Sequence, residues 1–382
     1  MSQRLLTAFL FLATVPGFQG KSYSNVAEKC DLEKCQPPNC RCSDDFQPPG
    51  GLSPALTPQI IMITFDDDIT VINYEQYKDA VKGFTNPNGC PITATFFISH
   101  NYTNYYLAEK LHSEGHELAD HTVTHRTPTT YWEDATYEEW ESEITGEREI
   151  LHKLTGLPSS TIKGFRAPFL EITEHQYQAL YTNNFTYDLS WPTGRYYNPP
   201  MYPYTLDYRS IQDCPVGKCP VMSYPGLWVV PNIDLMDGNG NVCGAMMDAC
   251  NPTGNSTQWY ETMLLNFQYH YHSNKAPFGL HAHSAWFSQS TGHMEALRKF
   301  LTLVASRDDV WVLTVSQVIE WMKNPQDVNG ANGFPAWDCL TRPKPRCTTP
   351  NVCHYTTPQD FYMPTCSDCP KHFPSPTNPD GE

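Results

Sequence analysis

Three acidic residues, Asp66, Asp67 and Asp68, directly follow an apolar, β-prone run at residues 61–65. A buried strand does not normally end in clustered like charge, because adjacent carboxylates raise each other's pKa and lose their hydration. A metal ion or an arginine among them would offset that cost. Taken by itself, the stretch is also compatible with an acidic turn or a surface calcium loop.

A second set of candidate ligands lies at residues 115–125, where His121 and His125 are four residues apart. A single turn at this spacing presents both imidazoles to one point, and one carboxylate would complete a set of three protein ligands. Zinc held in this way keeps a position open for water or substrate. Histidine pairs at this spacing are also frequent as ordinary loop residues.

Three further stretches place polar residues at predicted strand ends, at residues 164–169, 187–191 and 279–286. In the first, Arg166 is a natural partner for the acidic cluster, although an ordinary structural salt bridge would use the same residue. In the last, strand alternation puts His281 and His283 on one face. We expect one of these two histidines to be catalytic and the other structural.

A scaffold must bring these distant stretches together, and the chain shows a suitable pattern. From residue 59 onward, predicted strands alternate with predicted helices in about seven β–α units. This alternation predicts an α/β fold, a distorted (β/α)7-type barrel whose strand ends meet at one rim. The Pro-, Tyr- and Gly-rich residues 192–254 hold four cysteines and are predicted to form long disulfide-braced loops.

We predict four segments along the chain. Residues 1–20 are typical of a signal peptide, since a basic start is followed by an apolar core that is too short to span a bilayer. Residues 21–58 would form a disulfide-pinned arm, residues 59–328 the catalytic domain, and residues 329–382 a cysteine-rich extension packed on the barrel.

Composition limits the partners and the compartment. A chain of 382 residues, 40% hydrophobic, can bury a sizeable core, and its net charge of -16 argues against nucleic acid or an anionic membrane as partner. An uncharged polysaccharide is compatible with this charge. Fourteen cysteines indicate disulfides in a secreted chain, and glycosylation sequons at Asn101, Asn184 and Asn255 agree. The pairing of the cysteines stays open.

The five stretches, in this order, resemble the five motifs of the polysaccharide deacetylases (carbohydrate esterase family four) between residues 59 and 318. The Pro- and Tyr-rich insertions and the tail at residues 366–372 are similar to those of the arthropod chitin deacetylases. The resemblance implies a secreted hydrolase that removes N-acetyl groups from the N-acetylglucosamine units of chitin or chitooligosaccharides, giving chitosan and acetate. It also implies one Zn²⁺ per chain, with another divalent cation such as Co²⁺ as the alternative.

The same resemblance implies roles for the residues of the first, second and fifth motifs. Asp66 matches the general base, and His283 matches the general acid. Asp67, His121 and His125 match the three metal ligands.

The remaining implied roles concern positioning and binding. Arg166 matches the residue that orients Asp66, and the backbone N–H of Phe169 matches an oxyanion donor. Trp191 and Leu280 match the walls of a pocket for the acetyl methyl group.

Three positions depart from the motifs. Asp68 replaces a usual glycine, Phe169 replaces a common tyrosine, and Ser190 stands where a carboxylate commonly precedes the tryptophan. The resemblance therefore leaves Asp188 or Ser190 as the group that would position His283.

Residues 21–58 are too few for the six-cysteine chitin-binding module that many arthropod relatives carry, so we expect the short form. Such a protein would depend on its own cleft for substrate, and we expect a monomer. Analogy with gut-associated deacetylases suggests the peritrophic matrix as its location. A non-catalytic chitin-binding protein on the same fold is the alternative function, and xylan acetyl ester or peptidoglycan are alternative substrates.

Overall fold

Nine strands form one curled sheet in the computed structural model, which describes residues 25–250 and 255–382. The predicted signal peptide, residues 1–20, lies outside the described residues. The strands in chain order are β1 (Gln59–Asp67), β2 (Thr95–Ile98), β3 (Glu117–Asp120), β4 (Gly164–Phe165), β5 (Tyr187–Asp188), β6 (Tyr204–Leu206), β7 (Tyr224–Val229), β8 (Leu235–Met236), β9 (Val242–Gly244), β10 (Phe278–His283), β11 (Val310–Leu313), β12 (Asn351–Tyr355) and β13 (Phe361–Thr365).

The curled sheet has the order β10-β1-β2-β3-β4-β5-β7-β6, and β11 pairs with β1 beside β2. All of its strand pairs are parallel except β6 with β7. The predicted α/β class is confirmed, and the sheet takes the form of a half-barrel. Because parallel strands end on the same side of a sheet, the five candidate stretches share one rim.

Helices pack against the sheet. They are α1 (Val71–Val81), α2 (Tyr105–Ser113), α3 (Thr130–Asp134), α4 (Tyr137–Thr155), α5 (Glu174–Thr182), α6 (Ser256–Tyr271), α7 (Ala285–Gln289), α8 (Thr291–Val304) and α9 (Val315–Lys323). Capping boxes start four of them, at Thr70, Thr136, Thr173 and Thr314. Each box satisfies backbone N–H groups that the first helical turn leaves without partners.

Strand β1 pairs with three strands, β10, β2 and β11, more than any other strand of the curled sheet. Ile61, Ile63 and Phe65 pack into the core under the helices, and Ile60 and Met62 pack into a second core inside the half-barrel. A strand that is covered on both faces must be apolar on both. This requirement ends only at the rim, where the acidic residues begin.

Seven disulfides pair all fourteen cysteines. Six are local, two each in the N-terminal arm, the insertion and the tail. The seventh, Cys90–Cys339, joins residues 249 positions apart and attaches the tail to the sheet. The hairpin β12–β13 of the tail packs its inner face, including Tyr355 and Phe361, into the core that contains α2. The division of the chain into four segments stays a prediction.

Among residues 25–250 and 255–382, no helix is both long enough and apolar enough to cross a bilayer.

Candidate active site

A buried ion pair at the carboxyl end of β1 forms the centre of the site. Nη1 of Arg166 lies 2.5 Å from Oδ1 of Asp66, and both side chains are buried. Arg166 also donates from Nε to the carbonyl oxygen of Leu189 and from Nη1 to Oγ1 of Thr64, both at 2.9 Å. Its guanidinium lies 4.3 Å from the ring centroid of Phe97. The carboxylate of Asp66 is thus held beside a fixed positive charge.

His281 supports this ion pair from behind. Its Nδ1 lies 2.8 Å from Oγ1 of Thr64, which in turn accepts from Arg166. Burial, together with the charge of Arg166, holds the pKa of His281 well below its usual value, so the ring is neutral. Gly279 leaves room for the ring, because a Cβ there would lie 2.2 Å from Nε2 of His281.

Asp67, His121 and His125 converge beside the ion pair. Oδ1 of Asp67 lies 3.7 Å from Nε2 of His121 and 3.6 Å from Nε2 of His125. Nδ1 of His121 lies 2.7 Å from the carbonyl oxygen of Arg166, which leaves the lone pair of Nε2 for a cation. Burial and the neighbouring His125 hold the pKa of His121 well below its usual value, so this ring is neutral as well.

This donor set fits a zinc ion. One ligand atom from each of the three residues lies within 4.8 Å of the other two. Ligand atoms at zinc-binding distance are about 3.3–3.6 Å apart around a tetrahedral centre, close to the separations found here. Asp68 is not part of the group, and its carbonyl oxygen accepts from Nδ2 of Asn73 at 2.8 Å.

The backbone is strained around the same point. Four of the eight non-glycine residues with positive φ among the described residues belong to the candidate stretches: Asp67 (φ 80), Thr122 (φ 71), His125 (φ 40) and Phe169 (φ 57). A fifth, Leu170 (φ 60), directly follows one of these stretches. Such conformations persist where the surrounding structure enforces them, and they concentrate at functional sites.

His283 approaches the acidic pair from β10. Its Nε2 lies 3.9 Å from Oδ2 of Asp67, and its Cα pairs with that of Asp66. On the other side of the ring, Nδ1 lies 2.9 Å from Oδ2 of Asp248. Burial lowers the pKa of His283, but the hydrogen bond to Asp248 and the charges of Asp66 and Asp67 outweigh it and raise the pKa to about 9. The site therefore places a carboxylate and a histidine with a raised pKa beside one candidate metal site.

Comparison with known proteins identifies the family. The family profile described as Polysaccharide deacetylase matches residues 54–188. The chain is 37% identical over 370 residues to chitin deacetylase 8 of Bombyx mori, with 94% of each chain covered. It is 35% identical over 377 residues to chitin deacetylase 1 of the same organism, covering 94% of this chain and 69% of that one.

The chain belongs to the polysaccharide deacetylase family. Membership supports a hydrolase acting on N-acetyl amides. Among solved structures, the Xyl-CE4 domain of a multidomain xylanase from the hindgut metagenome of Trinervitermes trinervoides is similar with a TM-score of 0.41 and 16% identity, covering 72% of this chain and 100% of that one.

One deacetylase motif residue does not lie where the sequence predicted it. Asp188 does not reach His283; its carboxylate accepts from Gln176, Tyr177 and Ser190 at 2.5–2.9 Å. Gln176 and Tyr177 lie on α5 and Ser190 follows β5, so the carboxylate is held by its own neighbours in that part of the fold. Ser190 in turn accepts from the backbone N–H of Ala167, and the pair therefore braces the loop after Arg166.

The expectation for Leu280 was also wrong. Successive residues of a strand face opposite sides, so Leu280 points away from the side that carries His281 and His283. It is buried in the core under the helices, together with Ile63, its register partner on β1. Leu280 therefore does not line the deacetylase site.

Phe169 and Trp191 lie on loops that follow β4 and β5. Phe169 is 40% exposed, and its ring centroid lies 4.9 Å from that of His125, so it is at the mouth of the site. Trp191 is buried, with Nε1 donating to the carbonyl oxygen of Asp213 at 2.8 Å. The roles of Phe169 as oxyanion donor and of Trp191 as pocket wall stay predictions.

The sequence prediction missed Asp248. It lies 35 residues before His283, inside the irregular insertion and outside the five deacetylase motifs. The short spacing between Cys243 and Cys250 was the available signal, since a disulfide there closes a small ring that contains one carboxylate.

Proposed function

We propose that this protein is a secreted, metal-dependent chitin deacetylase, which hydrolyses N-acetyl groups of N-acetylglucosamine units in chitin or chitooligosaccharides. The observation that carries the proposal is the convergence of Asp67, His121 and His125 beside the Asp66–Arg166 ion pair and His283. The names of the two Bombyx mori relatives support chitin as the polymer. Seven disulfides support an oxidising compartment.

Asp67, His121 and His125 would hold the cation, for which we propose Zn²⁺. When bound, zinc supplies Lewis acidity that polarises a carbonyl and lowers the pKa of water. The protein's own part is to keep the imidazole of His121 neutral and to place the Nε2 atoms of both histidines beside Asp67.

Asp66 is the proposed general base. An amide carbonyl is a weak electrophile, so the attacking water must lose a proton as it adds, and a carboxylate at the rim can accept that proton. Arg166 keeps this carboxylate in one orientation through the 2.5 Å contact. A general base oriented in this way typically accelerates the reaction about 10²–10⁴-fold.

His283 is the proposed general acid. As the C–N bond breaks, the nitrogen keeps the electron pair and takes a proton from the imidazolium, because an unprotonated amine leaves badly. The raised pKa of His283 keeps that proton available at neutral pH. The backbone N–H of Phe169 is the proposed donor to the oxyanion, and such a donor is typically worth about 3 kcal/mol.

Acetate release from chitotetraose tests the proposal. We expect the purified protein to release acetate, to lose this activity after removal of metal with a chelator, and to regain it with Zn²⁺ or Co²⁺. Acetylated xylan and peptidoglycan assayed in parallel would identify a different substrate. Binding to chitin without acetate release would instead show a non-catalytic chitin-binding protein and overturn the proposal.

A further inference from the structure

A carboxylate from the insertion bonds the candidate acid at two points. Oδ2 of Asp248 lies 2.9 Å from Nδ1 of His283 and accepts from the backbone N–H of the same residue at 3.0 Å. The side chain of Asp248 is 18% exposed, and that of His283 is 37% exposed. Two contacts to one residue fix the plane of the imidazole and leave Nε2 directed at Asp67.

The loop that carries Asp248 is anchored at two places. The disulfide Cys243–Cys250 closes the loop, and Cys250 is fully buried. The backbone N–H of Met247 donates to the carbonyl oxygen of His281 at 2.7 Å, which joins the loop to β10. The disulfide and this hydrogen bond therefore fix the position of Asp248.

The preceding hairpin β8–β9 is attached to α6. Asn266 accepts from the N–H of Met236 and donates to its carbonyl oxygen, each at 2.8 Å. An amide side chain that satisfies both backbone groups of one residue fixes that residue in place. The insertion is thus held to a helix of the main fold before it reaches Asp248.

We infer that Asp248, delivered by the disulfide-closed loop of residues 243–250, is the positioning residue for His283. This inference rests on the proposed deacetylase function, and it gives the insertion a part in the reaction. Asp188, the motif residue at first expected in this role, is already bonded to its own neighbours.

The role follows from which nitrogen atoms of His283 carry a proton before and after the acid step. When the C–N bond breaks, the nitrogen takes the electron pair and the proton of Nε2, and His283 is left neutral with its remaining proton on Nδ1. That proton is shared with Asp248 before and after the transfer. Without the carboxylate, the ring can rotate and present Nε2 away from the leaving nitrogen.

The leaving group provides a selective test. A 4-nitrophenolate leaves as an anion and needs no proton, whereas the amine of a glucosamine unit does. We expect Asp248→Asn to lower kcat for chitotetraose about 10- to 100-fold, with KM and bound zinc unchanged. Turnover of 4-nitrophenyl acetate by the same variant should change less than about threefold, and Asp248→Glu should recover part of the amide activity.

Two further variants complete the experiment. Asp237→Asn removes an exposed carboxylate from the turn of the same hairpin and should leave both activities unchanged. Replacing Cys243 and Cys250 by serine should reproduce the selective loss, because the loop is then no longer closed.

Three results would overturn the inference. They are equal losses on the two substrates, loss of zinc from Asp248→Asn, or full amide activity in that variant. A wild-type protein that releases no acetate from chitotetraose would overturn the proposed function, and the role of Asp248 with it. An active wild type with an equally active Asp248→Asn variant overturns the role of Asp248 alone.

Discussion

At the scale of single residues, the site depends on charges that are buried and paired. Asp66 and Arg166 have almost no exposed surface, and removing one partner of such a pair leaves an uncompensated charge at a cost of about 3–5 kcal/mol. Replacing Asp66 by its isosteric amide keeps the shape of the site and a hydrogen-bond acceptor for Arg166. That substitution removes the proton acceptor with the least change of shape, and it also costs stability because Arg166 loses its counter-charge.

We predict that Asp66→Asn lowers kcat for acetate release by about 10²–10⁴-fold with zinc still bound, since the amide cannot accept a proton from water. The measurement is steady-state kinetics on chitotetraose together with zinc content. Asp68→Asn is the matched control, because Asp68 adjoins the site without belonging to the ligand group, and it should keep most of the activity. Loss of zinc from Asp66→Asn would mean that Asp66 is a metal ligand and that the roles assigned to Asp66 and Asp67 must be exchanged.

The sequence identified residue types better than it identified their partners. The motifs pointed to Asp66, Arg166 and His283 without any structural information, because strand ends on one rim must lie close together. The partner of His283 could not be predicted, because Asp248 lies in a loop whose sequence has no periodic pattern. Asp188 was misassigned because its actual partners lie on α5, which no local pattern relates to β5.

At the scale of elements, strand periodicity decides which side chains reach the rim. The alternation that places His281 and His283 on the side of the site also turns Leu280 toward the helices. The sequence alone could therefore have excluded Leu280 from the acetyl pocket. The long elements agree with the predicted alternation of strands and helices, as strand β1 and helix α4 show. The short strands β6, β8 and β9 were missed, because two or three residues carry no recognisable period.

Helix α4 carries a fully buried carboxyl group. Glu147 is fully buried, and neither of its carboxylate oxygens has a hydrogen-bond partner among the described residues. Burial, and then the neighbouring Asp120, raise the pKa of Glu147 well above its usual value. Between the usual and the raised pKa, the folded protein keeps a proton that the unfolded chain has released, so stability falls as the pH rises.

We predict that Glu147→Gln raises the melting temperature, and that the gain grows between pH 5 and pH 8, reaching about 2–4 °C. The neutral amide removes the cost of ionising the buried group at the higher pH. Thermal unfolding at both pH values measures the effect. Glu138→Gln, at an exposed position of the same helix, is the control and should show little change. An equal gain at both pH values would contradict the explanation.

At the scale of the whole molecule, the disulfides divide into local rings and one long-range bond. Cys90–Cys339 connects the region before β2 to the start of the tail, whereas Cys214–Cys219 closes a ring within the insertion. In the chain-entropy description, the stabilisation by a disulfide grows with the length of the loop it closes. The two bonds are worth about 5 and about 2 kcal/mol, respectively, on that basis.

We therefore predict that replacing Cys90 and Cys339 by serine lowers the free energy of unfolding more than replacing Cys214 and Cys219. Urea unfolding of the two double variants compares them directly. Both folded variants should keep their acetate release at 25 °C, because neither bond contacts the ligand group. An equal or reversed order of stabilities would show that local strain, and not loop closure, determines the effect.

The same long-range bond has a consequence for biosynthesis. Cys90 leaves the ribosome 249 residues ahead of Cys339, which is about 10–50 s at 5–20 residues per second. Cysteines 30, 35, 40 and 42 have all emerged by then and can find their partners within the arm. Their early pairing leaves Cys90 as a solitary thiol until most of the chain has been translated, so an oxidoreductase that shields it from newly emerging cysteines would increase the yield of correctly bonded protein.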